Sequence, residues 1–176
     1  MATIVDHQIR AYAREIGLIE PFEVDQINPA SYDVRLGPDI LTEGIAVGPE
    51  SQRQRWKHRS LIDGDYLLEP GEFILAETSE WIRIPIYLEA QFQLKSSRGR
   101  EGYDHALAGY IDPGFAGKVT LEIHNLNRHH SLILRKGMLI GQLRFMRLDA
   151  TPIRSYAQTG HYYGDSGVQP SKTSPW

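Results

Sequence analysis

From residue 66 onward the chain is a succession of short β-branched and aromatic runs set between turn residues, at 72–77, 82–88, 90–94, 118–125, 132–134 and 139–148. Runs of this length and composition suit strands and are too short for packed helices, so the chain must be mostly β. Upstream, Pro21, Pro29, Gly37, Pro38, Gly44, Gly48 and Pro49 interrupt the chain too often for a second long helix before about residue 50, and leave room for short strands. One helix fits, at 6–16. Val5, Ile9, Tyr12 and Ile16 recur at helical spacing, Asp6 is placed to cap the first turn, and Gly17 supplies a stop. With 176 residues the chain is sized for one core.

The run 118–125 carries the most information. Val119, Leu121 and Ile123 alternate with Thr120, Glu122 and His124, so one face is core and the other is solvent or a site. Two stretches, Leu68-Glu69-Pro70-Gly71-Glu72-Phe73-Ile74 and Leu134-Arg135-Lys136-Gly137-Met138-Leu139-Ile140, share a Leu-x-x-Gly-x-x-Ile pattern that suits a repeated strand-turn-strand unit. The last stretch, from about residue 155, has no periodicity. It reads as a frayed tail by composition, while its tyrosines, His161, Lys172 and glycines are also the parts of a flap that orders over a ligand.

The sequence has no cysteine, which removes disulfides, thiol nucleophiles and thiolate zinc sites, including those of the usual zinc nucleobase deaminases. A formal charge of −3 gives no global field for nucleic acid, and the dense basic patch of Arg53, Arg55, Lys57, His58 and Arg59 reads as a solvated loop or edge strand. No nucleic-acid partner is expected. The first residues carry no long apolar stretch, so neither a signal peptide nor a membrane anchor is expected, and a cytoplasmic location is the default. None of the histidines has HxH or HExxH spacing, and His129 and His130 are expected in a loop.

Two segments carry candidate chemistry. Lys95-Ser96-Ser97-Arg98-Gly99-Arg100-Glu101-Gly102 packs cations, hydroxyls and glycines after a β run; it suits a polyphosphate, and equally a solvated polar turn. Ile111-Asp112-Pro113-Gly114-Phe115-Ala116-Gly117 reads as a tight turn between strands, with Asp112 able to hold its own backbone. Glu122 would have a raised pKa and suit proton transfer if its face of the strand were covered by a neighbouring subunit.

Together, Ile27-Asn28-Pro29-Ala30-Ser31-Tyr32-Asp33-Val34-Arg35-Leu36-Gly37, Leu68-Glu69-Pro70-Gly71-Glu72-Phe73, Lys95-Ser96-Ser97, Ala108-Gly109-Tyr110-Ile111-Asp112-Pro113-Gly114-Phe115, Leu121-Glu122-Ile123 and Gly137-Met138-Leu139-Ile140-Gly141-Gln142-Leu143 resemble, in order, the dCTP deaminases of the dCTP deaminase and dUTPase superfamily. The resemblance covers nearly the whole chain. It implies a β-clip (dUTPase-like) distorted barrel with a short N-terminal helix, assembled as a homotrimer with sites between subunits. It divides the chain into a core at 1–154 and a C-terminal lid at 155–176, with Mg²⁺ carried by the triphosphate and no zinc.

By that resemblance Glu122 passes protons between the attacking water and the base, Ser96 and Arg100 orient the water and bind phosphate, and the Ala108 carbonyl also holds the water. Asp112 meets the deoxyribose, and Lys95, Ser97, Tyr110, Gln142, Tyr156, His161, Tyr162 and Asp165 complete the substrate contacts. The implied reaction is hydrolysis of dCTP to dUTP and ammonia. Ala108-Gly109-Tyr110-Ile111-Asp112 and Gly141-Gln142-Leu143 look more like the bifunctional enzymes, which leaves onward hydrolysis to dUMP and pyrophosphate open. The rival readings are a dUTPase alone, against which Glu122 argues, a nucleotide-binding regulator with weak catalysis, and a structural trimer without a nucleotide site.

The chain departs from the family pattern in three side chains. Lys95 stands where arginine is usual and lacks its bidentate fork. His161 stands for a phosphate-binding lysine of the lid, and Asp165 for a glutamine that addresses the base. An ionised Asp165 only accepts hydrogen bonds, which favours an amino-bearing base over the O4 of uracil. The loop from Arg98 to Asp104 is also about one residue shorter than usual.

Overall fold

The structure, a computed structural model, describes residues 2–44 and 55–172. Its one long helix, α1 (Asp6–Ile16), has the expected bounds, and Gly17 ends it in the left-handed conformation at φ 63°. The cap differs from expectation. Val5 is the N-cap residue; its N–H donates to Gln8 Oε1 at 3.2 Å, while Asp6 lies inside the helix and accepts from the His7 N–H. Ile9 and Ala13 turn inward from α1 to the core.

The rest is mostly β, in a curled, barrel-like sheet. In chain order the strands are β1 (Ala2–Thr3), β2 (Ile19–Glu20), β3 (Ile27–Asn28), β4 (Ser31–Gly44), β5 (Arg55–Ser60), β6 (Tyr66–Leu68), β7 (Phe73–Arg83), β8 (Leu88–Leu94), β9 (Tyr103–Asp104), β10 (Tyr110–Ile111), β11 (Ala116–Asn125), β12 (Leu132–Leu134) and β13 (Leu139–Arg147). The main path runs β10-β8-β13-β4-β7-β11-β9. Tyr32, Phe92 and Phe145 are the largest fully buried side chains of the core it encloses. Among the described residues no helix is long and apolar enough to cross a membrane.

Gly37-Pro38 does not divide β4 into short strands. It changes the pairing of one strand: residues 32–35 pair with β13 and residues 39–44 with β5, while β7 pairs on both sides of the turn, at Leu36 and again from Ile40, with a register shift between them. A Cβ on Gly37 would stand 2.5 Å from Glu77 Cγ, so the close approach of β4 to β7 depends on glycine there. The expected break between 77 and 82 is likewise absent. β7 runs straight through Glu77, Thr78 and Glu80, all fully buried, because each finds a distant partner. Lys118 Nζ donates to Glu77 at 2.7 Å, Thr78 Oγ1 accepts from the Val119 N–H at 3.0 Å, and Glu80 accepts from the Arg35 N–H at 3.0 Å.

The repeated Leu-x-x-Gly-x-x-Ile units are a structural pair. Their leading strands, β6 and β12, pair with each other, Leu68 opposite Leu132; each unit then turns at a glycine of positive φ, Gly71 or Gly137, into β7 or β13 on either side of β4. The basic run becomes the strand β5 on the edge of β4, with His58 3.0 Å from Asp39; Arg53 lies outside the described residues. His129 and His130 are in a loop, as expected.

Candidate functional site

The alternation along β11 is as the sequence predicts: Val119, Leu121 and Ile123 are buried, and Lys118, Thr120, Glu122 and His124 share the other face. The chain's own C-terminal segment lies along the first half of β11 and walls a space in front of that face. The short helix α2 (Ser96–Glu101) follows β8, and α3 (Tyr156–Thr159) opens the C-terminal segment on the turn after β10, where the Tyr156 N–H donates to Pro113 O at 2.9 Å. The segment then follows β11. Gly164 N–H donates to Ala116 O at 2.7 Å, Lys118 N–H to Asp165 O at 2.9 Å, and Gln169 N–H to Thr120 Oγ1 at 3.3 Å. Residues 155–172 are therefore no frayed tail.

Between β11, the turn after β10 and this segment lies a cavity of about 430 Å³. Glu122, Ala108, Tyr110, Asp112, Tyr156, Tyr162 and Asp165 line it, seven of the residues singled out from sequence. A second cleft, of about 470 Å³, shares Tyr110, Asp112 and Tyr156 with the first and adds His161 and Arg154. Burial raises the Glu122 carboxyl above the usual carboxylate range, partly offset by a backbone hydrogen bond. Asp112 is raised as well, by burial first and the charge of Glu89 second. Tyr110 Oη donates to Glu89 at 2.9 Å; burial and that carboxylate push its pKa up to about 12. The Asp112 turn is closed by backbone, Phe115 N–H to Asp112 O at 3.1 Å, which leaves its side chain to the cavity.

The other expected residues gather elsewhere in the chain, and none of them lines either cavity. Lys95 Nζ donates to the Asp33 carboxylate, so its charge is matched within the protein. Asn28 donates to the same carboxylate at 2.9 Å, and Ser31 Oγ donates to Gln142 Oε1 at 2.9 Å. Ser96, Ser97 and Arg100 are exposed on α2, a helical turn where the sequence suggested a loop. Arg98 of the same turn pairs with Glu101.

Sequence reading missed one cation of the wall and the partner of another cation. Lys118 lines the cavity and pairs with buried Glu77; the alternation that singled out Glu122 already put Lys118 on the same face. Lys172 pairs with Asp165 across the C-terminal segment, a contact with no local signature. Thr120, Gln169, Phe73 and Trp56 complete much of the wall. Among the described residues no three His, Asp or Glu side chains cluster to hold a metal ion.

Comparison with known proteins bears on this arrangement. Residues 3–148 match the family model described as dCTP deaminase-like. A protein of Aquifex aeolicus named "dCTP deaminase, dUMP-forming" is 38% identical over 155 residues, covering 88% of this chain and 84% of that protein. One of the same name from Corynebacterium diphtheriae is 34% identical over 177 residues, covering 95% and 94%. The crystal structure of a 2'-deoxycytidine 5'-triphosphate deaminase from Agrobacterium tumefaciens superposes with a TM-score of 0.67 at 25% identity, over 84% of this chain and 48% of that longer one.

Proposed function

Because this chain belongs to the dCTP deaminase-like family, we propose that it hydrolyses dCTP to dUTP and ammonia and carries the dUTP on to dUMP and pyrophosphate. The observation that carries the reading is Glu122: a half-buried carboxyl, raised by burial, on the wall of a cavity that also holds Asp112. A group with these properties can take a proton from water near neutral pH and return it to the base.

In the first step water adds to C4 of cytosine while Glu122 accepts its proton and delivers it to N3. The tetrahedral adduct then breaks its C4–N4 bond, with the proton from the new hydroxyl passing to the nitrogen, and ammonia departs. The carbonyl of Ala108, a residue of the same wall, is assigned to hold the water. In the second step water adds at the α-phosphorus and the bond to the bridging oxygen breaks, releasing pyrophosphate. Asp112, on the wall shared by the two cavities, is the carboxylate assigned to the sugar and to that water. The triphosphate would bring magnesium with it, whose hard oxygen preference suits the phosphate oxygens and whose charge would offset theirs.

Ser96 and Arg100 act on the water and the phosphates from a neighbouring subunit of a homotrimer. Their position on α2, away from the cavity that holds Glu122 in one chain, supports a site assembled from two chains. The core at 1–154 supplies the reacting groups and residues 155–176 the lid.

Incubation with dCTP and magnesium, with ammonia, nucleotides and pyrophosphate assayed together, tests the chemistry. Ammonia with dUMP and pyrophosphate is expected, and chelation should stop the second step; unchanged dCTP would overturn the reading. Mixed trimers of Glu122→Gln and Ser96→Ala chains test the composite site: each alone should be inactive, and a random mixture should recover about a quarter of native activity. No recovery in trimers shown to be mixed would place both residues in one subunit.

A further inference from the structure

The ammonium group of Lys172 is spent entirely inside the C-terminal segment. Its Nζ donates to Asp165 Oδ1 at 2.7 Å, to Asp165 Oδ2 at 2.6 Å and to the His161 carbonyl at 3.1 Å. An ammonium has three N–H donors, and these contacts use all of them. The same group lies 5.2 Å from the centre of the Tyr162 ring, while the Lys172 backbone N–H donates to Tyr162 Oη at 3.1 Å. One residue thus joins both ends of the stretch 161–172 into a closed ring.

The ring forms part of the reacting cavity. Tyr162, Asp165, Gln169 and Ser171 belong to it and line the space that holds Glu122. It is fixed to β11 by backbone at Ala116 and Lys118 and by the Thr120 hydroxyl. Asp165 is only partly accessible, and both its oxygens already face a full positive charge, which leaves it a poor acceptor for a neutral amino group.

We propose that Lys172 is a positioning residue of the reaction: through Asp165 it clasps the segment 161–172 into the wall of the Glu122 cavity, so that Asp165 orders this wall and does not read the base. The inference rests on the function proposed above. Glu122 and Asp112 sit on β11 and on the turn after β10, held by the sheet without the clasp. Losing the clasp leaves the chemistry intact and makes substrate order the wall at its own expense, which appears in KM.

Lys172→Ala and Asp165→Ala should each raise the KM for dCTP about tenfold with kcat changed by less than about twofold, and the double variant should be no worse than either single one. Lys172→Arg should restore most of the loss. In the absence of nucleotide, chymotrypsin should cut at Tyr162 and Tyr163 faster in both alanine variants than in the native protein, with the melting temperature of the core unchanged. That readout needs no turnover, so it separates failure of the clasp from failure of the proposed reaction. Native cleavage rates in both variants would overturn the proposal. So would an Asp165→Asn variant that alters the preference between dCTP and dUTP while Lys172→Ala does not.

Discussion

Gly109 sets the spacing on which the wall of the Glu122 cavity depends. It lies between Ala108 and Tyr110, both on the cavity, and its carbonyl accepts from the Phe92 N–H at 2.7 Å as β10 joins β8. A Cβ built there stands 2.2 Å from the Phe92 carbonyl oxygen and 3.2 Å from its carbon, closer than side-chain carbons tolerate. Since its φ lies outside the left-handed region, alanine suits the backbone and the substitution is purely one of space. β8 cannot retreat, because β13 is paired along its other edge from Leu88 to Leu94. Restoring ordinary contact therefore moves β10, with Ala108 and Asp112, by about 1 Å, a displacement that costs on the order of a hundredfold in rate for groups that must align with a reacting atom. Overpacking of this kind costs about 1–3 kcal/mol, or about 2–12 °C in melting temperature for a chain of this size. Ammonia release from saturating dCTP and a thermal melt measure the two effects on one preparation of Gly109→Ala. A variant that melts lower yet keeps turnover within about threefold of native would refute the argument that the β8–β10 spacing places the reacting groups.

Glu122→Gln should abolish ammonia release while triphosphate still raises the melting temperature. Burial holds the Glu122 proton more firmly in the native state than in the unfolded chain, so ionising it costs stability as pH rises from its ordinary value of 4.5 through the raised native one. The variant should thus melt above the native protein at pH 7, with the gap closing below 4.5; a lower melting point at pH 7 would contradict the burial argument. Lys118→Ala leaves the Glu77 carboxylate buried beneath an empty position and should cost about 3 kcal/mol at pH 7 in denaturant titration, with the loss shrinking in acid as Glu77 takes up a proton. Truncation after Arg154 should remove turnover and leave the oligomeric state in sedimentation unchanged; an active truncated protein would separate residues 155–176 from the site.

Local chemistry alone determined a good part of this protein. Helix α1 and its end at Gly17 follow from apolar spacing and from the conformational freedom of glycine at φ 63°. The two faces of β11 follow from strict alternation, and with them the exposure of Glu122 and Lys118 to one space. Paired glycine turns at Gly71 and Gly137 follow from a short repeated pattern. Tertiary structure decided what depends on distant partners. β7 continues through Glu77, Thr78 and Glu80 because Lys118, Val119 and Arg35 satisfy them, and a sequence window sees only polar residues that should end a strand. β4 continues past Gly37-Pro38 because β13 holds its first half, β5 its second, and β7 pairs on both sides of the turn. Lys95 meets Asp33, and Asp165 meets Lys172, through contacts that no spacing rule announces. The C-terminal segment has no period of its own; hydrogen bonds to β11 order it, and those bonds exist only once the strand is in place.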